Sequence, residues 1–435
     1  MKISVLTLFP QFYDPLISTS LIKRAQEKGL VQFAIKTFFD FVQPKERIDA
    51  PTFGTGAGML IKPNVISKAI DQQDHLYGKS FKIFFSPQGK KLDQRVLKDL
   101  AQKIQETQHV LLVAPRYEGI DARVEEKYAD AILSVGDFVL MGGDLPAMIC
   151  IEGLLRYIPG IVGKEESVER DSFSGPFVDY PEYTEPVEWE GMKVPDIVRS
   201  GNHGAIERWR REQAAQKTIT AHWGWFRSYS PLSKKDREIA SQCMPKHYAV
   251  LMHDEIDLPD GTVGTTSITT IDIHDIARSA RTYNLEHFFL VTSLSDQREI
   301  AHTVLNFWQE GVGISYNPDR HEAVKRVSVR DSLAQAVEQI ERNEGKKPII
   351  IATSARSMQG IPTITYHDQE KIWRQECPVL IIFGTGGGLA QSALEQADYI
   401  LGPLEGLNEY NHLSVRSAAA VIFDRWLGLN PKNPR

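Results

Sequence analysis

Short apolar runs alternate with amphipathic stretches from Met1 to about Gly163. The runs KISVLTLF, VQFAIKTFF, SFKIFFS, HVLLVAP and AILSV are separated by helical segments such as LDQRVLKDLAQKIQE. This alternation predicts an α/β domain with a mostly parallel sheet. Three of the runs end alike. IFFSPQG (Ile83 to Gly89), VLLVAPRYEG (Val110 to Gly119) and ADAILSVGDFVLMGGDLPAM (Ala129 to Met148) each pass from strand into a Gly/Pro loop, the last entering a helix at Pro146. Backbone N–H and C=O groups freed by glycine and proline at three neighbouring strand ends can line a small-molecule pocket.

The pattern stops between Gly163 and Phe177 in the acid-rich KEESVERDSFSG, which reads as a loop. From Pro181 to about Lys246 the chain turns to Trp, Arg and Pro. There NHGAIERWRREQAAQKT predicts a helix capped by Asn202. Residues 199–237 hold nine Lys/Arg against three acids, with Trp209, Trp223, Trp225 and Phe226 interleaved. Two readings of this segment are open: phosphate contacts with base stacking, or a solvated helix with its tryptophans in a small core. A second α/β pattern follows from Tyr248 (YAVLMH, EHFFLVTS, VGISYN, PIIIATSA, PVLIIFGTGGG, ADYILGP), and its end echoes the first half. Ala129 to Gly160 and Ala397 to Gly428 both run Ala-Asp-x-Ile-Leu, glycine loop, helix, with an Arg 26 residues after Asp130 (Arg156) and 27 after Asp398 (Arg425). A single repeat at this separation predicts two domains of one fold family. The expected divisions are an α/β domain at 1–163, a linker at 164–177, a small helical domain at 178–246 and a second α/β domain at 247–435.

Composition fits this picture. A chain of 435 residues, 42% hydrophobic and 24% charged, has the length for two or three globular domains. The start MKISVLTLFPQF, broken by Thr7 and Pro10, reads as a first strand rather than a signal peptide, and no run of eighteen apolar residues offers a membrane span. Cys150, Cys243 and Cys377 are far apart and odd in number, which suggests a reducing cytoplasm. A net charge of −6 argues against a uniformly basic coat while allowing a local basic surface.

Among candidate chemical groups, GTGAGM (Gly54 to Met59) and GTGGG (Gly384 to Gly388) match neither a P-loop nor a dinucleotide fingerprint. The pairs His247/His253 and His274/His287 lack a companion ligand set, so no metal site is expected. Asp171 and Arg156 suit proton transfer: a carboxylate can accept a ring-nitrogen proton while a guanidinium stabilises charge on an adjacent oxygen. A plain salt bridge is the competing reading.

SPQG (Ser86 to Gly89), RYEGID (Arg116 to Asp121), SVGDFVLMGGDLPAM, RYIPG (Arg156 to Gly160), DSF (Asp171 to Phe173) and SGNH (Ser200 to His203) together resemble the bacterial tRNA (guanine-37-N1) methyltransferases. The resemblance covers about Met1 to Lys246. It implies a SPOUT-class fold with a trefoil-knotted sheet, a homodimer, and S-adenosylmethionine held in bent form in the knot loops. The implied cofactor residues are Ser86, Pro87, Gln88, Gly89, Pro115, Tyr117, Glu118, Gly119, Ser134, Val135, Gly136, Asp137, Phe138, Val139, Leu140, Gly142, Gly143 and Pro146. Asp171 is the implied base for guanine N1 and Arg156 the group steadying O6. Gly58, Ser200, Asn202, His203, Arg208, Arg210 and Arg211 are implied to hold tRNA, the SGNH segment and basic helix from the partner subunit, and Mg²⁺ is an implied second cofactor. Pro115 and Thr55 stand where the family usually has glycine.

Residues from about Tyr248 to Gly428 resemble a second SPOUT-type RNA methyltransferase domain through FGTGGG and ILGPLEGLNEYNHLSVRSA. This implies a pocket of Gly384, Thr385, Gly386, Leu401, Gly402, Pro403, Asn411, His412, Leu413 and Ser414. DIHDIARSARTYNL resembles the helix of ribose-methylating relatives that carries a catalytic arginine, here Arg278, although His412 replaces their asparagine. The substrate of this half is an unknown RNA. The alternative is a non-catalytic module for cofactor binding, RNA binding or dimerisation, and a further alternative makes the whole chain a non-enzymatic RNA binder.

Overall fold

The computed structural model describes residues 1–54, 58–163, 171–229, 232–354, 360–408 and 410–430. The chain divides into two compact units, Met1–Gly175 and Pro176–Arg435.

The first unit contains β1 (Lys2–Thr7), β2 (Gln32–Thr37), α1 (Pro63–Tyr77), β3 (Phe81–Lys91), α2 (Gln94–Thr107), β4 (His109–Val113), α3 (Ala122–Tyr128), β5 (Ala131–Ser134) and α4 (Asp144–Leu155). Its sheet runs β2-β1-β4-β3-β5, parallel throughout. Every residue of β4 is buried, as a continuous apolar run requires when helices cover both faces. Val65, Ile66 and Ile70 of α1 fill one face, while Val96, Leu97 and Leu100 of α2 join Ile151 and Leu154 of α4 on the other. The start of α2 is fixed by Asp93, whose carboxylate accepts from the Val96 N–H at 2.9 Å.

The second unit holds α5 (His203–Ala221), the single turn α6 (Trp223–Phe226), α7 (Lys234–Cys243), β6 (His247–Met252), α8 (Thr270–Thr282), β7 (His287–Val291), β8 (Val327–Arg330), β9 (Ile349–Thr353), β10 (Thr363–Ile364), α9 (Gln369–Trp373), β11 (Val379–Gly384), β12 (Tyr399–Leu401) and α10 (Val415–Leu427). Its parallel sheet runs β8-β7-β6-β11-β9-β12-β10. Without the outer strands β8 and β10, the order β7-β6-β11-β9-β12 repeats that of the first unit strand for strand. The repeat extends to one side chain. Asp130 accepts from the Lys82 N–H at 2.8 Å, and Asp398, also 48 residues downstream of its partner, accepts from the Ile350 N–H at 2.8 Å. The paired arginines do not correspond: Arg156 pairs with Asp171, whereas Arg425 lies over the Tyr366 ring.

Two expectations differ from the structure. VGISYN reads as a strand, but Gly313–Tyr316 is a helical turn. A Cβ at Gly313 would sit 2.6 Å from the Phe307 carbonyl, so the chain folds back against the preceding helix, and Val327–Arg330 takes the strand position instead. The segment 178–246, expected as a separate small domain, shares its core with the second sheet. Trp223 and Phe226 are buried, Trp223 meets Trp373 edge-on at 5.0 Å, and Trp426 donates to His247 Nε2 at 3.1 Å. Arg227 donates to the carbonyls of Arg425 at 2.6 Å and Asp424 at 3.0 Å. Buried indoles and backbone carbonyl partners fuse α5 and α6 to the unit that follows them. Of the linker expected at 164–177, residues 164–170 lie outside the described residues.

Candidate functional site: a cavity at three strand ends

The ladder between β3 and β5 stops at Phe85↔Leu133 and resumes at Lys90↔Leu133, so Ser86–Gly89 is thrown out as a bulge. A Cβ at Gly89 would come within 2.6 Å of the Leu133 nitrogen; only glycine lets the bulge close onto β5. After β4 the chain turns at Pro115–Gly119, where the Gly119 N–H donates to the Arg116 carbonyl at 3.0 Å. After β5 the loop returns over this turn, and the Gly143 N–H donates to the Pro115 carbonyl at 2.7 Å.

These three loops enclose a cavity of about 410 Å³, a volume suited to a cofactor-sized ligand. Every cofactor residue implied for this half lines it except Gly89, Gly136 and Asp137. Phe85, Arg116, Ile120, Ala122, Glu125 and Leu133 line it as well. Asp137 is turned to Lys91, 2.8 Å away. Burial raises the Glu125 carboxyl above the usual carboxylate range. Gly142 and Gly143 set how closely the loops approach: Cβ atoms there would lie 2.4 Å from Arg116 Cδ and 2.5 Å from Pro115 Cδ. Gly143→Ala therefore forces the loops apart, and overpacking of about 1–3 kcal/mol predicts cofactor binding weakened roughly tenfold. Calorimetric titration with S-adenosylmethionine checks this, and unchanged affinity would contradict it.

Sequence reasoning missed the group that holds the cavity together. Asp144, the first residue of α4, is buried and takes four donors: Thr7 Oγ1 at 2.5 Å, Tyr13 Oη at 3.2 Å, and Arg116 through Nε at 3.0 Å and a terminal nitrogen at 2.9 Å. Burial and then Asp144 push the Tyr13 hydroxyl pKa up, keeping it a donor. The Arg116 guanidinium also lies over the Phe9 ring at 4.9 Å. An acid and an arginine inside two glycine-rich motifs were the available signal, since a buried charge needs a partner. Asp144→Ala strands Arg116 and leaves two hydroxyls without their acceptor, so urea unfolding of the first unit is expected to lose about 3–5 kcal/mol. A loss below roughly 1 kcal/mol, the range of a surface pair, would show the bridge to be dispensable.

Arg156, just past the C-terminal end of α4, is ion-paired with Asp171. Neither lines the cavity. On α4 the twelve residues from Asp144 to Leu155 rise about 18 Å, so the pair stands a helix length from the cavity of its own chain. Gly58 sits beside Glu118, where a Cβ would be 2.3 Å from the Glu118 side chain; Thr55, in the same loop, lies outside the described residues.

In the second unit, Asn202 caps α5 by accepting from the Ala205 N–H at 3.1 Å, and Ser200 Oγ donates to the Ile197 carbonyl. His203 and Arg208 are exposed, and Arg210 lies over the Tyr180 ring at 4.6 Å. Arg211 is turned to the buried Asp236. Burial of Asp236 is outweighed by hydrogen bonds from Ser233 and Arg211, which hold its carboxyl below the usual range. In this segment Trp223 and Phe226 are core, while the outer end of α5 presents cations.

Two of the segments implied for the second pocket begin at the C-terminal ends of strands. Gly384 ends β11 and Leu401 ends β12, the two neighbours of β9. Thr385 Oγ1 donates to the Met252 carbonyl at 3.0 Å and meets Thr266 Oγ1 at 2.5 Å. The Gly386 backbone has φ +55 against Ile256, and the Gly402 N–H donates to the Ile364 carbonyl at 2.9 Å, placing Pro403 just beyond. Asn411, His412, Leu413 and Ser414 are exposed, with Ser414 capping α10. Arg278 is exposed on α8, the helix that Arg416 of α10 joins through Asp272 at 3.1 Å. Among the described residues no three His, Cys, Asp or Glu side chains are grouped to hold a metal ion.

Comparison with known proteins matches the chain in two parts. Residues 1–226 match the family model of the tRNA (guanine-1)-methyltransferase TrmD, and residues 246–428 match that of a SAM-dependent RNA methyltransferase. Proteins named tRNA (guanine-N(1)-)-methyltransferase from Nitratidesulfovibrio vulgaris and Oleidesulfovibrio alaskensis are 37% and 36% identical, each over 98% of this chain and 99% of the relative. One of the same name from Bacillus licheniformis is 36% identical over 56% of this chain and 98% of its own length. The crystal structure of a tRNA (m1G37) methyltransferase from Aquifex aeolicus aligns with a TM-score of 0.41 at 33% identity, over 48% of this chain and 87% of that one. The chain therefore belongs to the tRNA (guanine-1)-methyltransferase family and carries a second, SAM-dependent RNA methyltransferase domain behind it.

Proposed function

We propose that this protein transfers a methyl group from S-adenosylmethionine to N1 of guanine 37 in tRNA. The observation that carries the reading is the cavity: residues from three loops far apart in sequence, each matching a motif for one ligand, line a single cofactor-sized space. Its donor set fits that ligand, since freed backbone groups suit an adenine edge and the carboxylates of Glu118 and Glu125 suit hydroxyls and positive charge. S-adenosylmethionine supplies a methyl group activated by a sulfonium. Asp171 accepts the N1 proton of guanine, and Arg156 offsets the negative charge that grows on O6. Their ion pair in the free protein fixes where the carboxylate points.

The chain is read as a homodimer, and the same geometry supports this: the pair and the cavity of one chain are separated by the length of α4, and in a dimer a second copy brings its Asp171 to the first copy's cavity. Leu145 and Ile149 are exposed on α4, and Val139 and Met141 in the loop before it are 82% and 89% exposed. An apolar face of this kind suits a partner subunit. The returning loop at Gly136–Gly143 is read as part of a trefoil knot of the SPOUT type.

Residues 178–246 are read as the tRNA-holding segment and 247–435 as a second SPOUT domain, with its cofactor at Gly384–Gly386, Leu401–Pro403 and Asn411–Ser414 and with Arg278 toward its substrate. The family match favours catalysis here over a bare binding role. No step runs through Mg²⁺, since among the described residues no three His, Cys, Asp or Glu side chains are grouped to hold a resident ion. Among the described residues no helix is long and apolar enough to cross a membrane; a tRNA substrate supports reading the protein as cytoplasmic. The test is methyl transfer from labelled S-adenosylmethionine to unmodified tRNA transcripts bearing guanine or adenine at position 37. Label confined to the guanine transcript at that nucleotide supports the reading; equal label in both overturns it.

A further inference from the structure

The basic helix α5 is half outside and half inside a core. Its outer part carries the exposed Arg208, Arg210 over Tyr180, and Trp209 beside Tyr183 at 6.3 Å. Its inner part, Ala214, Ala215, Thr218 and Ile219, is buried. That core continues without a break into the second methyltransferase. Trp223 packs on Trp373 and Trp373 on Trp426, while Arg227 and Arg374 are hydrogen-bonded to backbone carbonyls across the join. Arg208 and Ala215 are seven residues apart, about 10 Å along the helix axis. An RNA phosphate held at Arg208 is therefore held in the rigid frame of the second sheet. A cation seven residues along a helix from a packed core has no hinge between itself and that core.

We infer that the second domain acts on the same RNA as the first: α5 grips one tRNA for two methylations, at guanine 37 and at a second nucleotide of that molecule. The inference rests on the reading of α5 as a tRNA-holding helix. In the second reaction a lone pair on a nitrogen or oxygen of the nucleotide forms the new bond to carbon. The carbon–sulfur bond of S-adenosylmethionine breaks with its pair going to sulfur, and the displaced proton leaves to a base or solvent. No other co-reactant is needed.

The experiment uses the full chain, labelled S-adenosylmethionine, pooled unmodified tRNA transcripts and, separately, ribosomal RNA, with labelled nucleotides mapped after nuclease digestion. Wild type should label tRNA at guanine 37 and at one other nucleotide, and Asp171→Asn should lose the first label and keep the second. A wild-type tRNA carrying no label outside position 37, or label outside it only in ribosomal RNA, overturns the inference. Missing label at guanine 37 with the second label present instead strikes the reading of the first site. The double variant Arg208→Glu, Lys217→Glu, reversing two exposed charges, should raise KM for tRNA roughly tenfold at both positions with kcat and melting temperature kept. A rise confined to position 37 overturns the shared grip.

Discussion

Asp171→Asn lowers kcat for methylation of guanine 37 by about 10²–10⁴-fold, the range general-base catalysis supplies, while S-adenosylmethionine affinity and melting temperature stay near wild type. The amide keeps the size and much of the hydrogen bonding of the carboxylate but cannot take the N1 proton. The stability readout separates chemistry from structure. The pair is 42% exposed at Arg156 and 29% at Asp171, and a surface ion pair contributes roughly 0–1 kcal/mol. A purely structural pair would leave kcat intact and cost only that much. Unchanged kcat at saturating tRNA sinks the assignment of Asp171 as base.

Acidification is expected to unfold the second unit first. Burial pushes His247, His253 and His287 down to about 4 from the usual value of 6.5. His247 sits between the Pro245 carbonyl and the Trp426 N–H, His253 bonds Thr266 with Asp272 nearby, and His287 bonds Ser328 with Arg330 and Arg326 nearby. Because the folded values are depressed, the stability they contribute is fully present above pH 6.5 and is lost as pH falls toward 4. At about pH 5 each histidine favours the unfolded chain by about 2 kcal/mol. All seven tryptophans lie in this unit, from Trp189 to Trp426, so their fluorescence reports its unfolding selectively. Urea midpoints that match at about pH 7.5 and about pH 5, on either side of the ordinary histidine value, would contradict the expectation.

Much of this was legible in the sequence because its signals are local. Apolar runs such as HVLLV and VLIIFG can be satisfied only inside a covered parallel sheet, and the Asp93 and Asn202 caps follow from residue type and position. The repeat was legible because Asp130 and Asp398 make the same backbone bond. What stayed hidden depends on contacts between distant segments. Arg116 and Asp144 read as two more polar residues in loops until the fold buries one against the other. VGISYN has strand composition, yet the closeness of Gly313 to Phe307 makes it a helical turn. The shared core of α5, α6 and the second sheet is hidden for the same reason, since nothing local in Trp223 names Trp373 as its neighbour.

Two sheets with one strand order in one chain carry a hazard during synthesis, because a strand of one can complete the other before either has closed. The outer strands of the second sheet change the odds. In the second sheet β8 and β10 flank the five strands that the two units have in common, so none of its five is left at an edge where a strand of the first unit could be mistaken for its own. β10 has only two residues, and so short an edge offers few unpaired N–H and C=O groups to a passing chain. The additions that make the second half look less like the first are also what lets it find its own strands.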